Sequence, residues 1–167
     1  MCLAFSPTYG ESVKTKWYTK GNPTCYKTFH LSKGRVLTSQ GLTEDPHVNE
    51  VMNQALTTAL TSRNMEFGGD KAQLDVRFMG GTGADVQVED VTVGDYAVWA
   101  INGPLATTGR AYKKSVLGIA VVDSTAKQTV WAAKVTDNFG DPNKLDERIK
   151  NAVAKAFDKF PAELSCK

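Results

Sequence analysis

The sequence predicts a single α+β domain, in which a mostly antiparallel sheet carries two helices packed on one face. The prediction rests on two amphipathic helical segments, several short alternating segments, and a length of 167 residues that suits one domain. Because each helical segment has one apolar face, both need a common surface to cover. The domain is predicted over residues 24–167, and residues 1–23 are interpreted as an N-terminal tether.

The first helix is predicted over residues 45–65. Asp45 suits the N-cap, and Pro46 suits the first helical position, where the N–H that proline lacks is not needed. Apolar residues then recur at spacings of three and four, namely Val48, Val51, Met52, Ala55, Leu56, Ala59 and Leu60. A single apolar face of this kind is typical of a helix that covers a sheet.

The second helix is predicted over residues 142–160 and begins with the same pair of residue types, Asp141 and Pro142. Its apolar face consists of Leu145, Ile149, Ala152, Val153, Ala156, Phe157 and Phe160. Pro161 lacks the N–H that a further helical turn would use, so the helix is expected to end before it.

The N-terminal part of the chain is predicted to contain one strand and two irregular stretches. Residues 1–23 lack clear periodicity, although apolar residues such as Trp17 suggest that part of the tether docks or forms a first strand. The stretch TCYKTFHL (24–31) is rich in aromatic and β-branched residues, which favours a strand. Gly34 and Gly41 then flank a predicted loop.

Three further strands are predicted downstream. The stretch AQLDVRFM (72–79) alternates apolar and polar residues, as expected of a half-buried strand. The stretches 111–123 and 128–137 are joined by STAK and predict a hairpin. Within it, Trp131 is expected in the core, and Gly118 is interpreted as a bulge or a close backbone approach.

Composition and charge argue against several classes of protein. The net charge is only +2, and no block of five like charges occurs, so the sequence indicates neither nucleic acid nor an anionic membrane surface as a partner. The longest apolar run, LGIAVV, is far shorter than the roughly 20 residues of a membrane-spanning helix. Neither metal-ligand spacing nor a phosphate-loop motif is present, so no metal and no cofactor is predicted.

No catalytic residue is predicted, because no nucleophile lies in a recognisable motif. Asp75 is nevertheless a candidate for one of the two carboxylates that glycoside hydrolases use to cleave glycosidic bonds. The second carboxylate would come from Asp85, Asp90 or Asp95. The simpler interpretation is that Asp75, beside Arg77 on the polar face of a strand, is solvated or ion-paired.

Two large aromatic residues, Tyr96 and Trp99, lie in a glycine-rich stretch. Aromatic side chains provide contact area at a low entropic cost, which favours a recognition role. The alternative is that both rings close one end of the core. The candidate binding residues are therefore Tyr96, Trp99 and Asp75.

The three cysteines are Cys2, Cys25 and Cys166. In an oxidising compartment, a disulfide between Cys25 and Cys166 would tie the C-terminal tail to the first predicted strand. Two unpaired thiols remain the alternative. Cys2 has no partner in this scheme and lies at the start of the chain, where a thiol is accessible.

Several short stretches, in the order in which they occur, carry a resemblance to a known family. They are the strand with Asp75, the turn at Val122-Asp123, the pair Val130-Trp131, and the pair Phe160-Pro161. Together with the two predicted helices, these stretches resemble an uncharacterised family of bacterial envelope lipoproteins, which is known as domain of unknown function 4136. The resemblance covers about residues 24–161.

The resemblance implies that Cys2 is the lipidated first residue of the mature chain, after removal of a signal peptide. A lipid on Cys2 would hold the protein in the periplasm, anchored to a membrane. The resemblance favours the outer membrane over the inner one. The implied role is binding or scaffolding of an unknown envelope protein or small ligand. The alternatives are a hydrolase that acts on envelope material through Asp75, and a cytoplasmic protein.

Overall fold

Two α-helices and eight strands are the main elements of the part of the chain that the computed structural model describes, which comprises residues 12–21, 24–38, 41–81, 115–137 and 141–166. The strands are β1 (Ser12–Trp17), β2 (Thr28–Leu31), β3 (Arg35–Thr38), β4 (Gly41–Thr43), β5 (Glu66–Phe67), β6 (Leu74–Gly81), β7 (Ser115–Asp123) and β8 (Gln128–Asp137). The helices are α1 (Pro46–Thr61) and α2 (Leu145–Phe157).

The strands form one mixed sheet in the order β1-β8-β7-β6-β2-β5, and β3 pairs with both β6 and β4. The pairs β1–β8, β8–β7, β7–β6 and β3–β4 are antiparallel. Three pairs are parallel, namely β2–β5, β2–β6 and β3–β6. The sheet is thus mostly antiparallel, which confirms the prediction.

Both helices cover the same face of the sheet. Alternate residues of β6 point toward them, and these join the apolar faces of α1 and α2 in one buried cluster. Trp131 of β8 is 1% exposed, and the centroid of its ring lies 5.1 Å from those of Phe157 and Phe160. The predicted layer of two helices on one face is therefore confirmed. Among the described residues no helix is long and apolar enough to cross a membrane.

Helix α1 begins as predicted and ends earlier than predicted. The Asp45 carboxylate accepts a hydrogen bond from the N–H of Val48 at 3.1 Å, and Pro46 is the first helical residue. The helix ends at Thr61 rather than at residue 65. Asn64 adopts a positive φ of 63°, which no helix continues through, and the chain then turns toward β5.

Helix α2 begins three residues later than predicted. The Asp141 carboxylate accepts a hydrogen bond from the N–H of Asn143 at 3.0 Å, so it stabilises a turn instead of capping a helix. Regular helix runs from Leu145 to Phe157. Phe160 belongs to the core as expected, although it lies beyond the last helical turn.

Two of the strand predictions need correction, and a third is met by its stated alternative. The loop expected between Gly34 and Gly41 is largely replaced by the short strands β3 and β4, which are too short for alternation to reveal. The strand β1 lies within the predicted tether, in keeping with the alternative of a first strand, and Trp17 packs against the core. Gly118 pairs in regular register, and the bulge lies between Val121 and Val122.

Candidate functional site

The site built around Asp75 lies on the outer face, which is the face of the sheet turned away from the helices. Strand β6 alternates, so Leu74 and Val76 point into the core while Asp75 and Arg77 point outward. The Asp75 side chain is 15% exposed and that of Arg77 is 29% exposed. Both charged groups are thus partly withdrawn from solvent, and they depend on each other and on nearby polar groups for their hydrogen bonds.

Both carboxylate oxygens of Asp75 accept a strong hydrogen bond. The Ser32 hydroxyl donates to Oδ1 at 2.6 Å, and the Arg77 Nε donates to Oδ2 at 2.6 Å. The ion pair with Arg77 was one interpretation of the sequence, and it is present. Ser32 was not predicted, because it reaches Asp75 through the parallel pairing of β2 with β6.

His30 completes this polar group. It lies directly opposite Asp75 in the register of β2 and β6, so the two side chains share the outer face. Its Nδ1 atom is enclosed and has no hydrogen-bond partner among the described residues. A buried polar atom without a partner costs free energy unless a ligand or a water meets it. We call His30, Ser32, Asp75 and Arg77 the Asp75 cluster.

The Asp75 cluster contains one carboxylate, whereas glycoside hydrolysis uses two. Asp123, on the neighbouring strand β7, pairs with Leu74 and so belongs to the opposite side of the sheet. The other candidates, Asp85, Asp90 and Asp95, lie outside the described residues. Within the described ranges, no group of three histidine, cysteine, aspartate or glutamate side chains is arranged to hold a metal ion.

A second polar contact joins Tyr26 to Asp123. The Tyr26 hydroxyl donates to Oδ2 of Asp123 at 2.9 Å, while the backbone N–H groups of Thr125 and Ala126 donate to Oδ1, each at 2.8 Å. Burial disfavours the charge of Asp123, but the hydrogen bonds from Ala126, Tyr26 and Thr125 outweigh it and lower its pKa. Burial, then the hydrogen bond to Asp123, raises the pKa of Tyr26 to about 12.

A disulfide joins Cys25 to Cys166, with 4.9 Å between their Cα atoms. The backbone beside it is also paired: Tyr26 donates to the carbonyl of Leu164 at 2.8 Å, and Cys166 donates to that of Tyr26 at 3.2 Å. The C-terminal segment is therefore attached to the chain just before β2, as the proposed pairing of these cysteines requires.

The remaining candidate residues from the sequence are Cys2, Tyr96 and Trp99. All three lie outside the described residues. Their roles in lipidation and recognition therefore remain predictions from the sequence.

Several solved structures share this fold. A DUF4136 family protein from Bacteroides thetaiotaomicron has 17% identity and a TM-score of 0.62, over 94% of this chain and 98% of that one. The PelC dodecamer from Paraburkholderia phytofirmans has 10% identity and a TM-score of 0.52, over 95% and 100%. A PDZ domain protein from Parabacteroides distasonis has 16% identity and a TM-score of 0.53, over 90% of this chain and 36% of that one.

Comparison of sequences gives the family. No curated protein matches the chain. A family model described as a domain of unknown function, DUF4136, matches residues 13–162, which include both helices and all the strands described above except Ser12, the first residue of β1. The chain therefore belongs to the DUF4136 family.

Proposed function

We propose that this protein is a lipid-anchored periplasmic protein of the bacterial envelope, held at the outer membrane by a lipid on Cys2, with a binding or scaffolding role. The observation that carries the proposal is the disulfide between Cys25 and Cys166. Disulfides persist in oxidising compartments such as the periplasm and are rare in the cytosol. This pair therefore favours the envelope over the cytoplasmic alternative.

The Asp75 cluster supports binding more than hydrolysis. Ser32 and Arg77 occupy both oxygens of Asp75, so the carboxylate is held in place rather than left open to a substrate. The enclosed Nδ1 of His30, by contrast, makes no hydrogen bond to any described residue. A small polar ligand, or a polar group of a partner, would satisfy it. The PelC protein, which shares the fold, is a dodecamer, and this supports scaffolding by assembly as one form of the role.

The anchor is tested by labelling the full-length gene product with radioactive palmitate in a bacterial host. We expect incorporation into the natural protein and none into Cys2→Ser, since the thiol of Cys2 is the acceptor. The matched control is the double variant Cys25→Ser with Cys166→Ser, which removes two other sulfurs and retains the label. Absence of label in the natural protein, or equal label in Cys2→Ser, would rule out the anchor.

The choice between binding and hydrolysis is tested at Asp75. If the protein is a hydrolase that uses Asp75, the Asp75→Asn variant loses all release of soluble fragments from purified envelope material. If it is a binding module, the natural protein releases none, and Asp75→Asn changes only the ligand or partner that co-purifies. Fragment release by the natural protein that Asp75→Asn abolishes would overturn the binding proposal.

A further inference from the structure

The disulfide between Cys25 and Cys166 lies at the surface of the fold. Cys25 is exposed and Cys166 is partly exposed, whereas the neighbouring Tyr26 is buried. Exposed disulfides exchange with thiols more readily than buried ones, because the attacking thiol needs access to a sulfur atom. Cys25, the more exposed of the two cysteines, is therefore the residue at which a thiol can approach the folded protein.

The bridge holds a short C-terminal segment, residues 162–166, against the approach to β2. Tyr26 makes two backbone hydrogen bonds to this segment, at 2.8 and 3.2 Å. The Ser165 hydroxyl donates to the carbonyl of Arg63, and the Leu164 side chain is fully buried in the core. These contacts are all non-covalent, so the disulfide is the covalent tie between the segment and the approach to β2.

The attachment of residues 162–166 depends on that tie. A backbone hydrogen bond adds only modestly to stability, because water replaces the partner when the bond breaks. Release of the segment also returns conformational entropy to its residues. The disulfide opposes release because it links positions 141 residues apart and so limits the freedom of the opened chain.

We propose that the Cys25–Cys166 disulfide is a site of thiol–disulfide exchange with a dithiol reductant, and that its reduction detaches residues 162–166 from the rest of the fold. One thiolate of the dithiol attacks the sulfur of Cys25 and forms a mixed disulfide. The bond to Cys166 breaks, and the Cys166 sulfur leaves as a thiolate that takes up a proton.

The second thiol of the reductant completes the reaction. It attacks the reductant's own sulfur in the mixed disulfide, and Cys25 leaves as a thiol. Two electrons and two protons thus pass from the dithiol to the protein, and the dithiol becomes a disulfide. Because Tyr26 leads into β2, the redox state of the bridge controls how firmly the approach to this strand is held.

The exchange is tested on the full chain with Cys2→Ser, in which Cys25 and Cys166 are the remaining cysteines. The protein is incubated with dithiothreitol at urea concentrations below the unfolding transition, and new thiols are counted by mass after alkylation. We expect a reduction rate proportional to the dithiothreitol concentration that changes less than about twofold with urea, since the folded protein reacts. A rate that rises steeply with urea would show that reduction requires unfolding and would overturn the proposal.

The attacked sulfur is identified with reduced glutathione, a monothiol that leaves the mixed disulfide in place. Samples are taken early and the freed thiol is alkylated at once, so that the mixed disulfide does not rearrange. Peptide mapping is expected to find glutathione on Cys25. Glutathione mainly on Cys166 would overturn the assignment of the attacked sulfur.

Detachment is tested by amide hydrogen exchange in the oxidised and the reduced protein. The N–H groups of Tyr26 and Cys166 are expected to exchange about 30-fold faster after reduction, at the lower end of what one disulfide contributes. Their exchange should be insensitive to low urea, because a local opening exposes little surface. Exchange at Ile119, a fully buried residue of β7, should increase with urea.

The matched control adds Cys25→Ser and Cys166→Ser to Cys2→Ser, and it should show the reduced pattern without any reductant. Unchanged exchange at positions 26 and 166 after reduction, or the same urea dependence as at Ile119, would show that the segment stays attached. None of these measurements involves the lipid on Cys2, so failure of the anchor and failure of the exchange are distinguishable.

Discussion

The hydroxyl of Tyr26 donates a 2.9 Å hydrogen bond to Asp123, a residue 97 positions further along the chain. Tyr26 also pairs with Ser165 in a parallel β-bridge and follows the disulfide-bonded Cys25. Three distant segments thus meet at one residue: the approach to β2, the turn between β7 and β8, and the C-terminal segment.

We expect Tyr26→Phe to lower the free energy of unfolding by about 1–2 kcal/mol, because the carboxylate of Asp123 then loses a buried donor. Urea denaturation measures the change. Combined with Asp123→Ala, the loss is expected to be less than the sum of the two single losses, because both substitutions remove the same contact. Additive losses would show that the hydrogen bond contributes little.

Stability is expected to fall at alkaline pH through Tyr26. Its pKa is raised to about 12 by burial, by the hydrogen bond to Asp123 and by the charge of Asp123. The folded state therefore holds this proton more tightly than the unfolded state, whose tyrosines ionise near pH 10. The resulting stability is present below about pH 10 and is lost as the pH rises toward about 12. Tyr26→Phe should show a shallower decline in chemical denaturation, and an identical decline would contradict the assignment.

Arg63 connects the C-terminal ends of the two helices. Its guanidinium donates to the carbonyl of Ala59 in α1 at 2.7 Å and to that of Phe157 in α2 at 2.6 Å. We expect Arg63→Met to cost about 1–3 kcal/mol in urea denaturation, because both carbonyls lose a charged donor. Arg63→Lys, which keeps the charge but not the fork, should lie between Arg63→Met and the natural protein. A loss no larger for Arg63→Met than for Arg63→Lys would show that bridging is unimportant.

His47 at the start of α1 contacts Asp146 in the first turn of α2, with 2.7 Å between Nε2 and Oδ1. The hydrogen bond to Asp146, and then its charge, raises the pKa of His47 above 6.5. Because the folded protein holds the His47 proton more tightly than the unfolded chain does, protonation stabilises the fold at pH values below the unfolded pKa. This stabilisation is lost as the pH rises through the raised pKa of the folded state. A titration of His47 followed by nuclear magnetic resonance should give a pKa above 6.5. In the Asp146→Asn variant the pKa of His47 should return toward 6.5. An unchanged pKa in Asp146→Asn would exclude Asp146 as the cause.

The disulfide is expected to stabilise the domain strongly, because it joins residues 141 positions apart. Replacing both cysteines by serine should lower the free energy of unfolding by about 2–5 kcal/mol. Urea denaturation of the double variant measures this, with the natural protein under reducing conditions as the comparison. Equal midpoints for the oxidised protein and the double variant would show that the bridge has no stabilising effect.

Much of the fold is predictable because its signals are local. The spacing of apolar residues from Val48 to Leu60 predicts α1, and the Asp45 cap predicts where it starts. The alternation around Asp75 and the hairpin around Trp131 are equally local patterns. Prediction fails where the pattern is too short, as in β3 and β4, or where a capping residue also suits a turn, as at Asp141.

The sites are less predictable because they form between distant segments. Asp75 and its ion pair with Arg77 are visible in the sequence, two residues apart. Ser32 and His30 join them only because β2 runs parallel to β6, and no short-range signal specifies that pairing. Similarly, the sequence shows no block of positive charge, yet the sheet places Lys14 opposite Lys134.

By itself, the sequence determined the two helices, the principal strands, the layer they form and the family resemblance. Each of these follows from residues within one turn or one strand of each other, where spacing decides which side chains share a face. Only the tertiary structure decided the strand order, the junction at Tyr26 and the Asp75 cluster. These depend on pairings between segments many residues apart, which are selected by how the whole apolar surface is buried.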